Sequence, residues 1–378
     1  MIDSFVFKDG KQLRRGYTTG TCAAAAAKAS AWMLLSSQEM KSVHLVTPSG
    51  MELELPVLKI CRDESQVSCA IQKDSGDDPD ITDGALIYAA VSLIPEPEIK
   101  IDGGIGVGRV TKKGLDQPVG AAAINSIPRQ MIRENLEEVC RVMDYHKGLS
   151  VIISVPDGEK LAQKTFNSRL GIEGGISILG TSGIVEPMSD QALIDTIRLE
   201  LQQRKSNGAD RILLTPGNYG MNFLKKNIAI DSQLPVMTSN FIGEALDCCT
   251  NLGFKEVLLV GHIGKLVKIA GGMLNTHSRY GDCRMEIITA HAAAVSLKSE
   301  KAVEILNGAT CDDALRILDE EGLQDAVLER LISKISENLN RRTNGNPIVG
   351  VMIFSNVYGK LAETGNAAAI LSKIQKEG

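Results

Sequence analysis

The chain has 378 residues, 43% of them apolar and 23% charged, with a formal net charge of −5, the composition of an ordinary globular protein long enough for two domains. A negative balance and 4% aromatic residues exclude the basic footprint and stacking platforms of a nucleic-acid binder and any attraction to an anionic membrane. No apolar run reaches the roughly 18 residues of a bilayer span, the start Met-Ile-Asp-Ser-Phe carries no signal pattern, and eight cysteines occur without a C-x-x-C pair. A reduced, cytoplasmic protein without a disulfide framework or zinc site is predicted.

In chain order, the first distinctive segment is Arg15-Gly-Tyr-Thr-Thr-Gly-Thr-Cys-Ala-Ala-Ala-Ala-Ala-Lys28. Thr18, Thr19 and Thr21 can each cap a helix, and Gly16 and Gly20 let backbone approach closely. Five successive alanines then make a helix without bulk, so that something must pack near its axis. The start reads either as a capped helix against a sheet or as an anion site at a helix N-terminus. Ser42–Thr47 and Met51–Lys59 alternate around Pro48-Ser49-Gly50 as a hairpin, and Gln66–Lys73 is a further strand.

Asp74-Ser-Gly-Asp-Asp-Pro-Asp80 reads as a solvated turn or a ligand-facing loop; its spacing fits no EF-hand. Ile99–Arg109 contains G-x-G-x-G, but an extended segment follows where a dinucleotide fold would open a helix. Close packing of that loop on substrate or backbone is the better expectation. Pro118–Arg129 is a second small-residue segment, and Pro128 suits the first turn of a helix reaching about Tyr145. This half reads as an α+β domain over residues 1–173.

From residue 174 to 378 the pattern becomes α/β. Ile176–Gly180, Arg211–Thr215, Leu234–Thr238, Glu256–Val260 and Ile348–Phe354 are short apolar runs, with a long helical stretch over about His291–Asn340 before the last. Such runs predict parallel strands buried on both faces in a doubly wound, Rossmann-like sheet, with ligands beyond the strands' carboxyl ends. Those ends are small and polar: Gly180-Thr-Ser-Gly183, Thr215-Pro-Gly-Asn218, Ser239-Asn240, Gly261-His-Ile-Gly264 and Ser355-Asn356. Gly261-His-Ile-Gly-Lys265 is too short for a phosphate loop, and Leu266 stands where Ser or Thr would hold magnesium. His262 is either a ligand-facing group or a loop imidazole bonded to backbone. His277, in the polar loop Met273–Asp282, is a candidate acid or base. His44 and His291 read as structural.

Together these segments resemble one family. The 15–28 segment, Asp80-Ile-Thr-Asp-Gly84, Asp102-Gly-Gly-Ile-Gly106, Thr165-Phe-Asn167, Arg169-Leu-Gly-Ile172 and Gly174-Gly-Ile-Ser-Ile-Leu-Gly-Thr181 are similar to motifs of the CbiD family. So are Gly217-Asn218, Ser239-Asn240-Phe-Ile-Gly243 and Gly261–Lys265. The resemblance runs from about Leu13 to Asn366; Ser126 and Ser168 stand where the family usually has proline, which loosens two loops without removing a charged or hydroxyl group.

The resemblance implies transfer of a methyl group from S-adenosylmethionine to C-1 of cobalt-precorrin-5B, giving cobalt-precorrin-6A in anaerobic cobalamin biosynthesis. No metal held by the protein itself is expected, and charge, aromatic content and hydropathy leave no nucleic-acid or membrane partner. The resemblance leaves open a homo-oligomer and transient contact with neighbouring pathway enzymes. Holding an activated methyl donor in line with an electron-rich carbon, and excluding water, would supply most of the catalysis. For the carboxylate-rich macrocycle the matching residues are Arg14, Arg15, Thr18, Thr19, Thr21, Lys28, Arg129, Asn167 and Arg169. For the donor, the geometry of the expected fold alone, through the polar strand ends, points to Gly180, Thr181, Ser182, Gly183, Asn218, Asn240, Gly261, His262 and Gly264. His262 and His277 are the catalytic candidates. A tetrapyrrole carrier without chemistry, or a phosphotransferase using Gly261–Lys265, are the alternative functions.

Overall fold

Thr18 caps the first helix, Thr19–Ser36, by accepting a hydrogen bond from the Thr21 N–H at 3.2 Å, and the helix ends at Ser37 in the left-handed region. In this computed structural model residues 4–8, 10–63, 65–165, 167–228, 230–231 and 234–377 are described. The alanines from Ala23 to Ala27, with Ala29 and Ala31, are fully buried. They lie against the strands Gln66–Gln72 and Leu86–Ile94 and the helix Ser126–Val142. Ser30 Oγ donates to Ala89 O at 2.9 Å, and the Cys69 thiol to Ala26 O at 3.3 Å, so helix and sheet backbones approach closely. The alanines therefore serve helix-on-sheet packing, which bulkier side chains would force apart.

The sheet under that helix runs in the order Leu58–Arg62, Gln66–Gln72, Leu86–Ile94, Gly148–Ser154, Ile99–Gly103. All neighbours are antiparallel except the last pair. The expected hairpin forms from Ser42–Val46 and Glu52–Pro56, with Val43, Leu45, Leu53 and Leu55 facing the core. The expected second strand, Met51–Lys59, is two strands. Pro56 offers no N–H to continue the ladder, and Leu58–Arg62 joins the larger sheet instead.

The glycine-rich segment opens no helix. Gly106–Val107 pairs in parallel with Gly175–Ile176, and Arg109–Val110 pairs antiparallel with Ile172–Glu173. Backbone meets backbone there: a Cβ on Gly106, Gly158 or Gly175 would overlap main-chain atoms of the facing segment. Dinucleotide binding by this loop is excluded by that packing.

The aspartate loop satisfies itself. Asp74 forms a two-pronged pair with Arg14 at 2.6 and 2.7 Å, Asp80 pairs with Lys73 at 2.6 Å, and Asp83 accepts the Ser75 N–H at 2.8 Å. Asp77 accepts from Arg14 N and Asp78 from Met188 N. Among the described residues no three or more His, Cys, Asp or Glu side chains converge to hold a metal ion.

The chain divides between Ser189 and Asp190, not at the expected 173/174 boundary. Ile176–Gly180 is not the first strand of the second sheet. Ile176 and Ile178 are buried in the first core, Ile178 bridges Ile124, and Ile184–Val185 pairs with Gly16–Tyr17. An apolar run shows that a strand will be buried but not which core receives it.

The second unit contains a sheet ordered Val236–Met237, Arg211–Thr215, Glu256–His262, Ile348–Ser355, Gly359–Glu363, parallel except for the last strand. Leu214, Leu259 and Val351 enter one core and Leu213, Leu258 and Met352 another, so both faces are covered. Both sets of alternate positions must then be apolar, which explains the unbroken runs. The long helical stretch resolves into Arg284–Ala293, Ser299–Leu306, Cys311–Glu320 and Gln324–Thr343; a capping box between Thr310 and Asp313 starts the third.

Candidate active site

In the second unit the chain leaves Arg211–Thr215 for Val236–Met237 on one side, then returns to Glu256–His262 on the other. That reversal leaves a crevice beyond the carboxyl ends of Arg211–Thr215 and Glu256–His262, where open α/β sheets take ligands. Three strand-end loops meet there on one side chain. The Lys265 ammonium donates to Ser239 O at 3.3 Å and lies 3.5 Å from the position a Cβ on Gly217 would occupy. Burial, and next the charge of Lys268, hold Lys265 below the usual lysine pKa.

His262 terminates its strand and caps the helix Ile263–Ala270, its Nδ1 accepting the Gly264 N–H at 3.1 Å. Its ring meets Phe354 edge-on, centroids 5.5 Å apart, and Tyr219 at 5.7 Å. The loop-imidazole reading thus describes its Nδ1. Burial depresses the His262 pKa; Asp312 opposes the shift and Arg284 adds to it. Protonation at Nδ1 would remove the cap acceptor. This contribution to stability is present above about pH 6.5 and is lost as pH falls through the lower folded value. A proton NMR titration is expected to give His262 an apparent pKa below 6.5; a value above 7 would contradict the capped, buried imidazole.

Beside this cap is a cavity of about 290 Å³, lined by Asn240, Gly264, Lys265, Lys268, Thr276 and His277, and completed by Ser278, Asp282 and Arg284. Thr276 is fixed by Asn240, whose side-chain oxygen accepts from Thr276 Oγ1 at 3.3 Å and whose carbonyl accepts from Thr276 N at 3.0 Å. His277 Nδ1 accepts the Arg279 N–H at 3.2 Å. Lys268 is only 3% exposed. Its ammonium donates to Gly281 O at 3.0 Å and stands 3.8 Å from Asp282, whose carboxylate is also held by the Arg284 guanidinium.

Of the expected donor residues, Asn240 and Gly264 line this cavity together with His277. Asn218 is exposed and, after Thr215, begins the short helix Asn218–Phe223, whose Gly220 and Phe223 are buried. Gly261 is a packing position, where a Cβ would press on Leu266 and Pro216. Gly180, Thr181, Ser182 and Gly183 lie in the first unit, not at a strand end of the second, which corrects their expected placement. Gly183 O accepts from Thr18 N at 3.1 Å and from Thr21 Oγ1 at 2.6 Å, and a Cβ on Gly180 would strike Thr18.

The start of the first helix is covered by this same segment. Leu179 O accepts the Gly20 N–H at 3.0 Å, and Thr19 Oγ1 donates to Leu179 O at 3.2 Å. Thr18, Thr19 and Thr21 are buried there, so the anion-site reading gives way to a capped helix. The cations expected to meet the macrocycle are also engaged. Arg14 pairs with Asp74, Arg15 with Glu186 at 3.4 Å and Lys28 with Glu138 at 2.9 Å. Arg129 donates to the carbonyls of Ile124, Ile101 and Ala122, and burial lowers its pKa. Asn167 Nδ2 donates to Gly175 O at 3.2 Å; Arg169 lies in the same turn region, half-buried, and Phe166 of that motif lies outside the described residues.

Sequence reasoning missed Lys268 and Arg284, and noticed Lys265 only as a phosphate-loop lysine. The available signal was the spacing of Lys265 and Lys268, three residues apart on one helix face, before a polar loop.

The CbiD family profile matches residues 6–187, ending just short of the division at Ser189, and that of the CbiD C-terminal domain matches residues 275–365. A protein of Ruminiclostridium cellulolyticum named cobalt-precorrin-5B C(1)-methyltransferase is 47% identical over all of this chain and 99% of its own length. The chain belongs to the CbiD family. An Alkaliphilus metalliredigens protein of the same name is 44% identical, again over all of this chain and 99% of its own length. A crystal structure of a cobalamin biosynthesis protein (CbiD) from Archaeoglobus fulgidus is 30% identical, covering 73% of this chain and 87% of that one, with a TM-score of 0.40. Like its named relatives, this CbiD-family chain is a methyltransferase.

Proposed function

We propose that the protein transfers the methyl group of S-adenosylmethionine to C-1 of cobalt-precorrin-5B, forming cobalt-precorrin-6A in the anaerobic branch of cobalamin biosynthesis in the cytoplasm. The observation that carries this reading is the end-to-end similarity to proteins bearing that name. A parallel sheet with a crevice at its reversal point supports reading the second unit as a doubly wound, Rossmann-like domain that receives the donor. Asn240, Gly264 and the cavity beside them are the donor residues this geometry favours.

The ring carbon supplies the electron pair for the new C–C bond. The S–CH3 bond breaks, its electrons return to sulfur, and S-adenosylhomocysteine leaves. The sulfonium is already an activated leaving group, so the chain's task is to hold the two reactants in line and keep water from the methyl group. Cobalt belongs to the substrate.

Incubating the protein anaerobically with cobalt-precorrin-5B and methyl-labelled S-adenosylmethionine should place one label at C-1, as read by NMR and mass spectrometry. Label at another carbon, or none with folded protein, would overturn the reading.

A further inference from the structure

We propose that the cavity between the helix Ile263–Ala270 and the loop 276–284 is a carboxylate-binding site for one arm of a reactant, with Lys265 as its recognition residue. The inference rests on the methyltransferase reading only for the choice of probes. Three cations and one carboxylate line the cavity, in a chain whose overall balance is negative. Asp282 accepts two bonds from Arg284 and stands 3.8 Å from Lys268. Among the described residues no carboxylate lies within ion-pair distance of Lys265, whose bond to Ser239 O uses one of its three N–H donors.

A half-buried ammonium held near a second one on the same helix face is unfavourable without an anion. Burial and Lys268 both oppose its charge. A planar carboxylate would accept from both ammonium groups, with the Ser278 hydroxyl and Asn240 amide at hand as further donors. At about 290 Å³ the space is at the small end for a ligand pocket. It has room for an amino-acid end or one acetate or propionate arm, not for a macrocycle. The chemistry is therefore that of a carboxylate, which both reactants possess.

Calorimetric titration of Lys265→Met tests this. One pair of probes is S-adenosylhomocysteine and 5′-methylthioadenosine, which lacks the amino-acid carboxylate. The other pair is a cobalt corrinoid with free carboxylate side chains and its fully amidated form. Lys265→Met should raise the Kd of one carboxylate-bearing probe by about tenfold to a hundredfold, and leave its carboxylate-free counterpart within twofold. Lys265→Arg, which keeps the charge, should recover part of the loss, and an unchanged melting temperature verifies the fold. Selective loss of S-adenosylhomocysteine assigns the site to the donor; selective loss of the free-acid corrinoid assigns it to the macrocycle. Either supports the proposal. Equal losses for both members of each pair, or no loss for any probe, overturn it. If the unaltered protein binds neither nucleoside thioether, the donor reading of the function fails while the corrinoid pair still decides the cavity.

Discussion

Gly106→Ala abolishes the folded first unit. The residue sits at φ +71°, where a side chain is strained, and its Cβ would overlap Val155 O and crowd the Gly158 N–H. None of those atoms can yield. Gly104 N bonds Ile153 O and Val155 N bonds Ile105 O, both at 2.8 Å, while Gly108 N bonds Ile176 O at 2.9 Å. The neighbour across the junction is main chain, so no rotamer change relieves the overlap. The expected loss exceeds about 4 kcal/mol, beyond the ordinary range for a point substitution. Gly120→Ala is the control: φ is positive there as well, at +90°, but a Cβ meets nothing within 4 Å, and the cost should stay near about 1–2 kcal/mol. The single tryptophan, Trp32, lies in the first helix, so its fluorescence during urea unfolding reads the first unit. Equal urea midpoints for the two variants would refute the close backbone approach.

Lys73→Met should cost about 1–3 kcal/mol, the cost of leaving the part-buried Asp80 carboxylate without its charged partner. Lys73 is 3% exposed, and its ammonium bonds Asp80 at 2.6 Å and the Ser75 hydroxyl. Without it, among the described residues, the Asp80 side chain keeps the Thr82 N–H and hydroxyl, at 2.8 and 2.7 Å. Burial alone would raise the Asp80 pKa, but the Lys73 charge and hydrogen bond, together with Thr82, bring it below the usual carboxylate value. A depressed folded pKa contributes stability that is present above about pH 3.9 and lost as pH falls through the lower folded value. In Lys73→Met burial is opposed by Thr82 without the Lys73 charge, so the folded pKa of Asp80 rises and its acid-linked loss shrinks. The cost of the substitution should therefore be greatest near pH 7 and fall toward pH 3. Trp32-monitored urea midpoints of both proteins between pH 3 and 7 would show this, and a difference that does not shrink toward pH 3 would refute the pairing. A Lys73→Met, Asp80→Leu double variant should recover part of the loss, because the stranded carboxylate is gone.

Local features were legible wherever a short-range rule governs them. Thr18 as cap, the Ser42–Val46 and Glu52–Pro56 hairpin and the parallel strands at Arg211, Glu256 and Ile348 follow from capping chemistry, alternation and unbroken apolar runs. Of the candidate site, the sequence held this much: Asn240, Gly264 and His277, selected from the polar strand ends and the loop after them, line one cavity. Features depending on a distant partner were not legible. Arg14 and Arg129 looked like carboxylate binders because a guanidinium's chemistry suits that task, but Asp74 and three backbone carbonyls already occupy them. Gly180–Gly183 had the residues of a ligand loop and covers a helix start instead.

By itself the sequence determined the family, the methyltransferase class and those helices and strands that a local pattern marks, because each is written in contiguous residues. The tertiary structure alone decided which core receives Ile176 and Ile178, which glycines admit a facing backbone, and which cations are already paired. It also decided that Lys265, Lys268 and Arg284 share a cavity with a single carboxylate. The physical reason is that pairing and burial depend on what lies across space, and a one-dimensional pattern records only what lies next along the chain.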